Sequence, residues 1–370
     1  KKSEKQSDII LFKESPLYSY LLLGIFLVFL GFFTTFKITG DDDLFWHLAT
    51  GRLMLQTGHV PSTDVFGFIS QGQQWMPFEW GWDVLTYAIY SFSGYVGLSV
   101  LRSALIIIVF LIFYYLSTRF KVSNTFSIFS LLILAFGMID RLTPRPHLIS
   151  YLFFALLLLI VCEYRYFNRG NKKILYFIPV IFLFWANMHM GIIAGGFLLA
   201  LFFISEFIST YYHGNNPSVK PLDKNDLKYL FIIFTVSAVM MLVNPNFFQT
   251  YIYAYDHTKM KMLETVNEWM SPFAARYTDS FVSYIYKALL FIGVFNILYA
   301  IKKKDWFFAI LYIGFALYSV RAMRFTVDFV IISLVFTTVS VYEYLNLIKS
   351  NELKVFLFKK PPLKIAIGIF

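Results

Sequence analysis

Asp41-Asp42-Asp43 sets three carboxylates side by side. Their mutual repulsion raises at least one pKa, which suits a general base or a divalent-metal site. The plainer alternative is a solvated helix cap, because Asp is a favoured N-cap. His47 lies four residues after Asp43, so on a helix both occupy one face. Trp46 could cover a sugar ring or a prenyl chain, or anchor at a membrane interface. A second set of candidates is cationic. Arg141, Arg145 and His147 surround Pro144 and Pro146, which stiffen the turn. A guanidinium fork matches a phosphate or pyrophosphate, although pairing with the aspartates or with lipid headgroups would also explain it. Arg321 and Arg324, three residues apart, repeat the situation and share a face if helical. Asn187 and His189 stand before Gly191, and polar groups at membrane depth are candidates for function. Glu79 beside Trp80, and Glu268 beside Trp269, offer further acids or acceptor contacts; a surface loop charge is the alternative.

These residues must be positioned by a chain that is 58% hydrophobic, 21% aromatic and only 15% charged. Soluble domains carry about 25% charged residues. A disordered chain is therefore excluded and a soluble enzyme strongly disfavoured. The single cysteine, Cys162, excludes a disulfide scaffold and sits in an apolar run. The composition predicts an all-α polytopic membrane protein. Apolar runs fall near 17–36, 96–117, 125–139, 148–164, 174–188, 191–211, 229–243, 281–301, 306–320 and 325–346, and a partial further run begins at Pro361. That is about 10–11 transmembrane helices, each needing about 20 residues. Lysines and arginines precede the first run and follow the second, fourth, sixth, eighth and tenth. This alternation places the N-terminus and those connections in the cytoplasm. It also explains the net charge of +10 without a nucleic-acid partner. Lys37, Lys259 and Lys261 fall on the other side without overturning the pattern.

The remaining connections hold nearly every motif named above. The topology thus predicts one polar site on the extracytoplasmic face. Two loops there are long. The first, 38–95, is expected to carry a helix over 44–56, a turn at Pro61-Ser62-Thr63-Asp64, and an amphipathic stretch over 78–92 lying at the membrane surface. The second spans 244–280, opening on Asn244-Pro245, a helix stop. The organisation expected is a cytoplasmic tail over 1–16, a membrane domain over 17–346, and a cytoplasmic connection with a further helix over 347–370. The chain opens without methionine and stops inside an apolar run, so it is expected to be part of a longer protein. There is no Gly-rich nucleotide loop, Cys/His metal spacing or nucleophile elbow. An activated donor would most simply be lipid-linked.

The segment Gly40 to Gly51 resembles the D-x-D-x-W-W-H-L-A-x-G motif of a group of bacterial multi-spanning proteins similar to the GT-C superfamily of membrane glycosyltransferases. Further likenesses follow in order. Gly58 to Asp64 resembles G-x-x-P-x-T-D, Phe78-Glu79-Trp80 resembles H-E-W, Arg145-Pro146-His147 resembles R-P-H, and Trp185 to His189 resembles W-A-N-x-H. Asn244-Pro245 and Glu268 to Pro272 resemble N-P and E-W-x-S-P. Phe45 and Phe78 depart from the Trp and His common there. The resemblance implies a GT-C-like catalytic domain in the bacterial inner membrane. It would transfer a sugar from a polyprenyl-phosphate donor to an acceptor hydroxyl on a glycan, lipid or protein. Asp43 would be the base, with Asp41 and His47 beside it. Asp41 and Asp43 could hold a divalent metal, Mg or Mn. Arg141, Arg145, His147, His189, Arg321 and Arg324 would bind the donor phosphate. Trp46, Glu79, Asn187, Glu268 and Trp269 would meet the acceptor. An O-antigen ligase or polymerase type enzyme with a lipid-pyrophosphate donor, a lipid or glycan transporter, and a non-catalytic scaffold of the same fold are the alternatives.

Overall fold

The computed structural model describes residues 15–36, 42–212 and 219–347. Asp41, the tail over 1–14 and the run expected from Pro361 lie outside the described residues. Each of the ten apolar runs is met by a helix. The helices are α1 (Pro16–Phe36), α2 (Asp42–Thr57), α3 (Trp80–Arg119), α4 (Asn124–Met138), α5 (His147–Cys162), α6 (Phe177–Trp185), α7 (Ile192–Tyr211), α8 (Lys224–Met241), α9 (Gln249–His257), α10 (Phe281–Lys302), α11 (Trp306–Ser319) and α12 (Thr326–Leu347). Among the described residues there is no strand, only an isolated bridge between Thr63 and Gln74.

The ten helices that meet the apolar runs differ in length and composition. Seven of the helical stretches are long and apolar enough to cross a membrane, and α11, with 14 residues, is shorter. α6 is cut short because the chain leaves the helix after Trp185 and turns through Asn187 and His189. Local capping explains several starts. Ser123, Asp223, Ser280 and Asp305 each accept a backbone N–H from the first turn of the helix they precede.

α3 joins two segments that the sequence separates, the amphipathic 78–92 stretch and the apolar 96–117 run. They meet at a kink where Gly94 has φ +62°, a conformation other residues adopt only with strain. The membrane part of α3 packs with α1, α4 and α5. α12 is central: 83% of its apolar stretch is buried, against 22% for α1 at the edge.

Successive helices run up and down, so side chains far apart in sequence meet at one end or the other. At one end, Arg165 pairs with Glu206 and Asp305, and Arg169 also pairs with Glu206. Arg165 and Arg169 belong to the basic connection that follows the fourth apolar run. α5 continues past Cys162 as one wide turn over Glu163–Phe167, which carries Arg165 inward to 2% exposure. The motif residues gather at the other end.

Candidate active site

α2 and the first half of α3 form the floor of the site. They approach closely because residue 51 is glycine: a Cβ there would stand 2.0 Å from the Asp83 carbonyl oxygen. α2 begins at Asp42, so Asp43 lies within its first turn rather than ahead of it as a cap. Asp43 and His47 still share one face. Asp43 is exposed, and its Oδ2 lies 2.8 Å from Arg145 Nη1 on the turn before α5. His47 is buried, with Nδ1 2.6 Å from Asp83 Oδ1 and Nε2 3.9 Å from Glu79 Oε2. Burial alone would lower the His47 pKa. The hydrogen bond and charge of Asp83, with Glu79 and Asp43 behind it, outweigh burial and hold the pKa above its usual value.

Glu79 stands between two histidines. Its Oε1 is 3.4 Å from His189 Nε2. Burial pushes its carboxyl up to about 7, against the pull of His47 and with the repulsion of Asp83. The His189 tautomer follows from its neighbours. Trp185 Nε1 can only donate, and it donates to Ser150 Oγ at 2.7 Å. The Ser150 hydroxyl then donates to His189 Nδ1 at 2.7 Å, as does the Gly191 N–H at 3.0 Å. Nδ1 is thus the acceptor, and Nε2–H faces Glu79. Burial, then the charges of Arg324, His147 and His47, lower the His189 pKa well below the imidazole range.

A second cluster lies alongside. Arg141 Nη1 donates to Glu268 Oε2 at 2.6 Å, and Arg324 Nη1 is 3.4 Å from Glu268 Oε1. Burial would raise the Glu268 pKa, but Arg141, Arg324 and Arg145 lower it below the usual carboxylate value. The Arg324 guanidinium also stacks 4.4 Å from the Trp269 ring centroid. A cavity of about 250 Å³ opens beside Arg141, Arg145 and Glu268, with Thr143, Asn267 and Tyr277 on its wall. The two clusters are neighbours, since Arg324 bears on Glu79 and on His189.

The other expected residues fall as follows. His147 Nε2 donates to the Arg141 carbonyl at 2.8 Å, so it ties down the arginine loop. Asn187 is a strut. Its oxygen accepts from Trp80 Nε1 at 3.0 Å, and its amide donates to the Leu183 and Val243 carbonyls. Trp46 packs edge-on against Phe66 and Trp75. Arg321 is exposed and joins none of these ion pairs. The helical face it would share with Arg324 does not form, because α12 is preceded by a tight turn over Met323–Phe325. Asp83 and Ser150 complete the site and were not singled out from the sequence. Asp83 sits four residues after Glu79 on an expected helix, a spacing that pairs both acids on one face.

Of the expected metal ligands Asp41 and Asp43, only Asp43 lies among the described residues. No three His, Cys, Asp or Glu side chains among them converge to hold an ion, and the Asp43 carboxylate faces Arg145.

With this geometry in view, comparison with solved structures is informative. The chain is similar to the crystal structure of the Archaeoglobus fulgidus oligosaccharyltransferase in its apo form, with a TM-score of 0.58 over 91% of this chain and 52% of that one. The chain shares the all-helical fold of the membrane part of that structure, a GT-C-like arrangement. At 14% identity the likeness is one of fold, and this chain spans about half the length of the archaeal protein. No protein-family model matches the chain, and no curated protein matches it in sequence.

Proposed function

We propose that this membrane protein is a GT-C-type glycosyltransferase that moves a sugar from a polyprenyl-phosphate-linked donor to an acceptor hydroxyl. The observation that carries the reading is the meeting of Asp43 and Glu79 with Arg141, Arg145 and Arg324 at one end of a GT-C bundle. Donor transfer needs a base for the acceptor and cations for the departing phosphate. In this reading the acceptor oxygen attacks the anomeric carbon. Its proton passes to the Asp43 carboxylate, and the bond from the anomeric carbon to the phosphate oxygen breaks with its electron pair on the phosphate. Arg145, Arg141 and Arg324 bind that phosphate, exchanging it for their present carboxylate partners. His147 keeps the arginine loop in place. Glu79, held between His47 and His189, accepts a hydrogen bond from the acceptor.

The basic alternation of the connections supports a site outside the cytoplasm with the N-terminus inside, and the motif resemblance suggests a bacterial inner membrane. The test is transfer from radiolabelled polyprenyl-phosphate sugars in proteoliposomes, wild type beside Asp43→Asn. Product from wild type alone supports the reading and the base. Product from both moves the base to Glu79. Two arginines on one cavity wall, Arg141 and Arg145, with Arg324 paired to Glu268 on the same wall, also suit a pyrophosphate-linked donor. Product from that donor, with none from the monophosphate, would replace the first reading by the second.

A further inference from the structure

The chain between α2 and α3 has a feature that the site chemistry does not use. From Val65 to Phe78 it contains no charged residue. Its base is fixed. Thr63 bridges Gln74, the Asp64 N–H donates to the Gln73 carbonyl at 2.9 Å, and the Trp75 N–H donates to the Ser62 carbonyl at 2.9 Å. The Asp64 carboxylate accepts from the backbone of Phe66 and Gly67 and from the Ser70 hydroxyl. Phe66 and Trp75 then lock onto Trp46 of α2 with ring centroids 5.1 and 5.4 Å away. This rigid hairpin raises Phe68 and Ile69 at its tip, which are 99% and 91% exposed.

Two adjacent large apolar side chains on a fixed, uncharged loop have no reason to stay in water. Their position says what covers them. Trp46 lies only ten residues beyond Phe36, where α1 ends. The hairpin leads directly into α3, whose Phe92 and Val96, 96% and 73% exposed, flank the kink from which that helix crosses the membrane. The hairpin thus sits between α2, next in the chain after α1, and the amphipathic half of α3 that leads to the kink. Tryptophan beside an apolar tip is the composition favoured at the headgroup level.

We propose that the tip Phe68–Ile69 inserts into the bilayer interface, so that the hairpin pins the mouth of the site to the lipid surface. The occupant is the lipid itself, and the inference does not depend on the sugar chemistry. The test places an environment-sensitive fluorophore on Phe68→Cys, and separately on Ile69→Cys, in the full chain reconstituted into phosphatidylethanolamine–phosphatidylglycerol nanodiscs. Ser62→Cys, exposed at the hairpin base, is the reference. The native Cys162 is buried, and the wild-type chain treated alike gives the background. Exposed replacements at 62, 68 and 69 leave the fold intact, as circular dichroism would verify. The expected result is blue-shifted emission at 68 and 69, with quenching by headgroup-level nitroxide lipids several-fold stronger than at 62. Water-like emission with quenching no stronger than at 62 would overturn the proposal. Blue-shifted emission that lipid quenchers leave untouched would also overturn it, since the tip would then be covered by protein, a second copy included.

Discussion

Arg165 and Arg145 are both arginines paired with carboxylates at helix ends, but they belong to different kinds of cluster. Arg165 is 2% exposed and Glu206 is fully buried. Arg165 donates to both Glu206 and Asp305, Tyr166 donates to the second Asp305 oxygen, and Arg169 closes the other side of Glu206. Every charge there is spent on another part of the chain, which ties α5, α7 and the turn before α11 together. Arg145 and Asp43 expose 32% and 57% of their side chains, and a cavity lies beside them. Their pairing can be exchanged for a ligand at little cost, because an exposed ion pair is worth little. The contrast separates charges that hold a fold from charges that are available for chemistry.

The largest effect should come from the buried cluster. Arg165→Met leaves Asp305 without its guanidinium and costs about 3–5 kcal/mol. Thermal unfolding in detergent should show a steep loss of melting temperature, or no monodisperse protein. A change as mild as a surface substitution would mean that the cluster is not a clasp. The open cluster should behave in the opposite way. Asp43→Asn should unfold within about 0.5 kcal/mol of wild type, yet lose transfer by about a hundredfold or more if it is the base. Loss of fold along with activity would erase the distinction between the two ends.

Glu79 lies between these extremes, paired yet strained. Its carboxyl is raised from 4.5 to about 7, so it holds a proton in the folded state that the unfolded chain has released. The stability it adds is full below about pH 4.5 and is lost as pH rises to about 7. Function should run the other way, because only the ionised form accepts from an acceptor hydroxyl. The acceptor KM should therefore fall as pH rises through about 7, by up to about tenfold. Glu79→Gln should flatten both profiles. A KM that stays pH-dependent in Glu79→Gln would assign the titration to another group.

The sequence shows this division only in part. All ten apolar runs are helices, because length and uniform hydrophobicity mark a membrane helix without any need to know its neighbours. The helix of α2 and the glycine ending it are also legible: the Gly58 N–H donates to the Met54 carbonyl, closing the last turn. The union of two segments into α3 is less so, since a kinked helix and two helices leave the same pattern around Gly94. For the site, the topology brought the motif residues to one end but could not choose partners. Arg145 meets Asp43 and His189 meets Glu79 across about a hundred residues each, a matter of helix packing. Asn187 braces Trp80 and the Val243 carbonyl, partners that come from segments 107 and 56 residues away and so are not legible in the sequence. Arg165 falls just after the fourth apolar run, and nothing local reveals that its helix runs on for another turn.

The smallest effect tests whether burial, rather than mere membership of an ionic network, decides the difference. Lys303 and Glu343 pair at the same end as Arg165, with Tyr299 donating to Glu343 at 2.8 Å. Their side chains are 43% and 39% exposed. Water screens such a pair, and ordering a long lysine side chain offsets part of its attraction. Lys303→Ala should therefore cost less than about 1 kcal/mol and leave the melting temperature within a few degrees of wild type. Tyr299 keeps its hydrogen bond to Glu343, so the carboxylate is not stranded. A loss comparable to that of Arg165→Met would mean that the rim pair and the buried clasp act as one unit. A double variant that loses no more than Arg165→Met alone would then measure their coupling. Additive losses instead would mean that the rim pair and the buried clasp hold this end of the bundle independently.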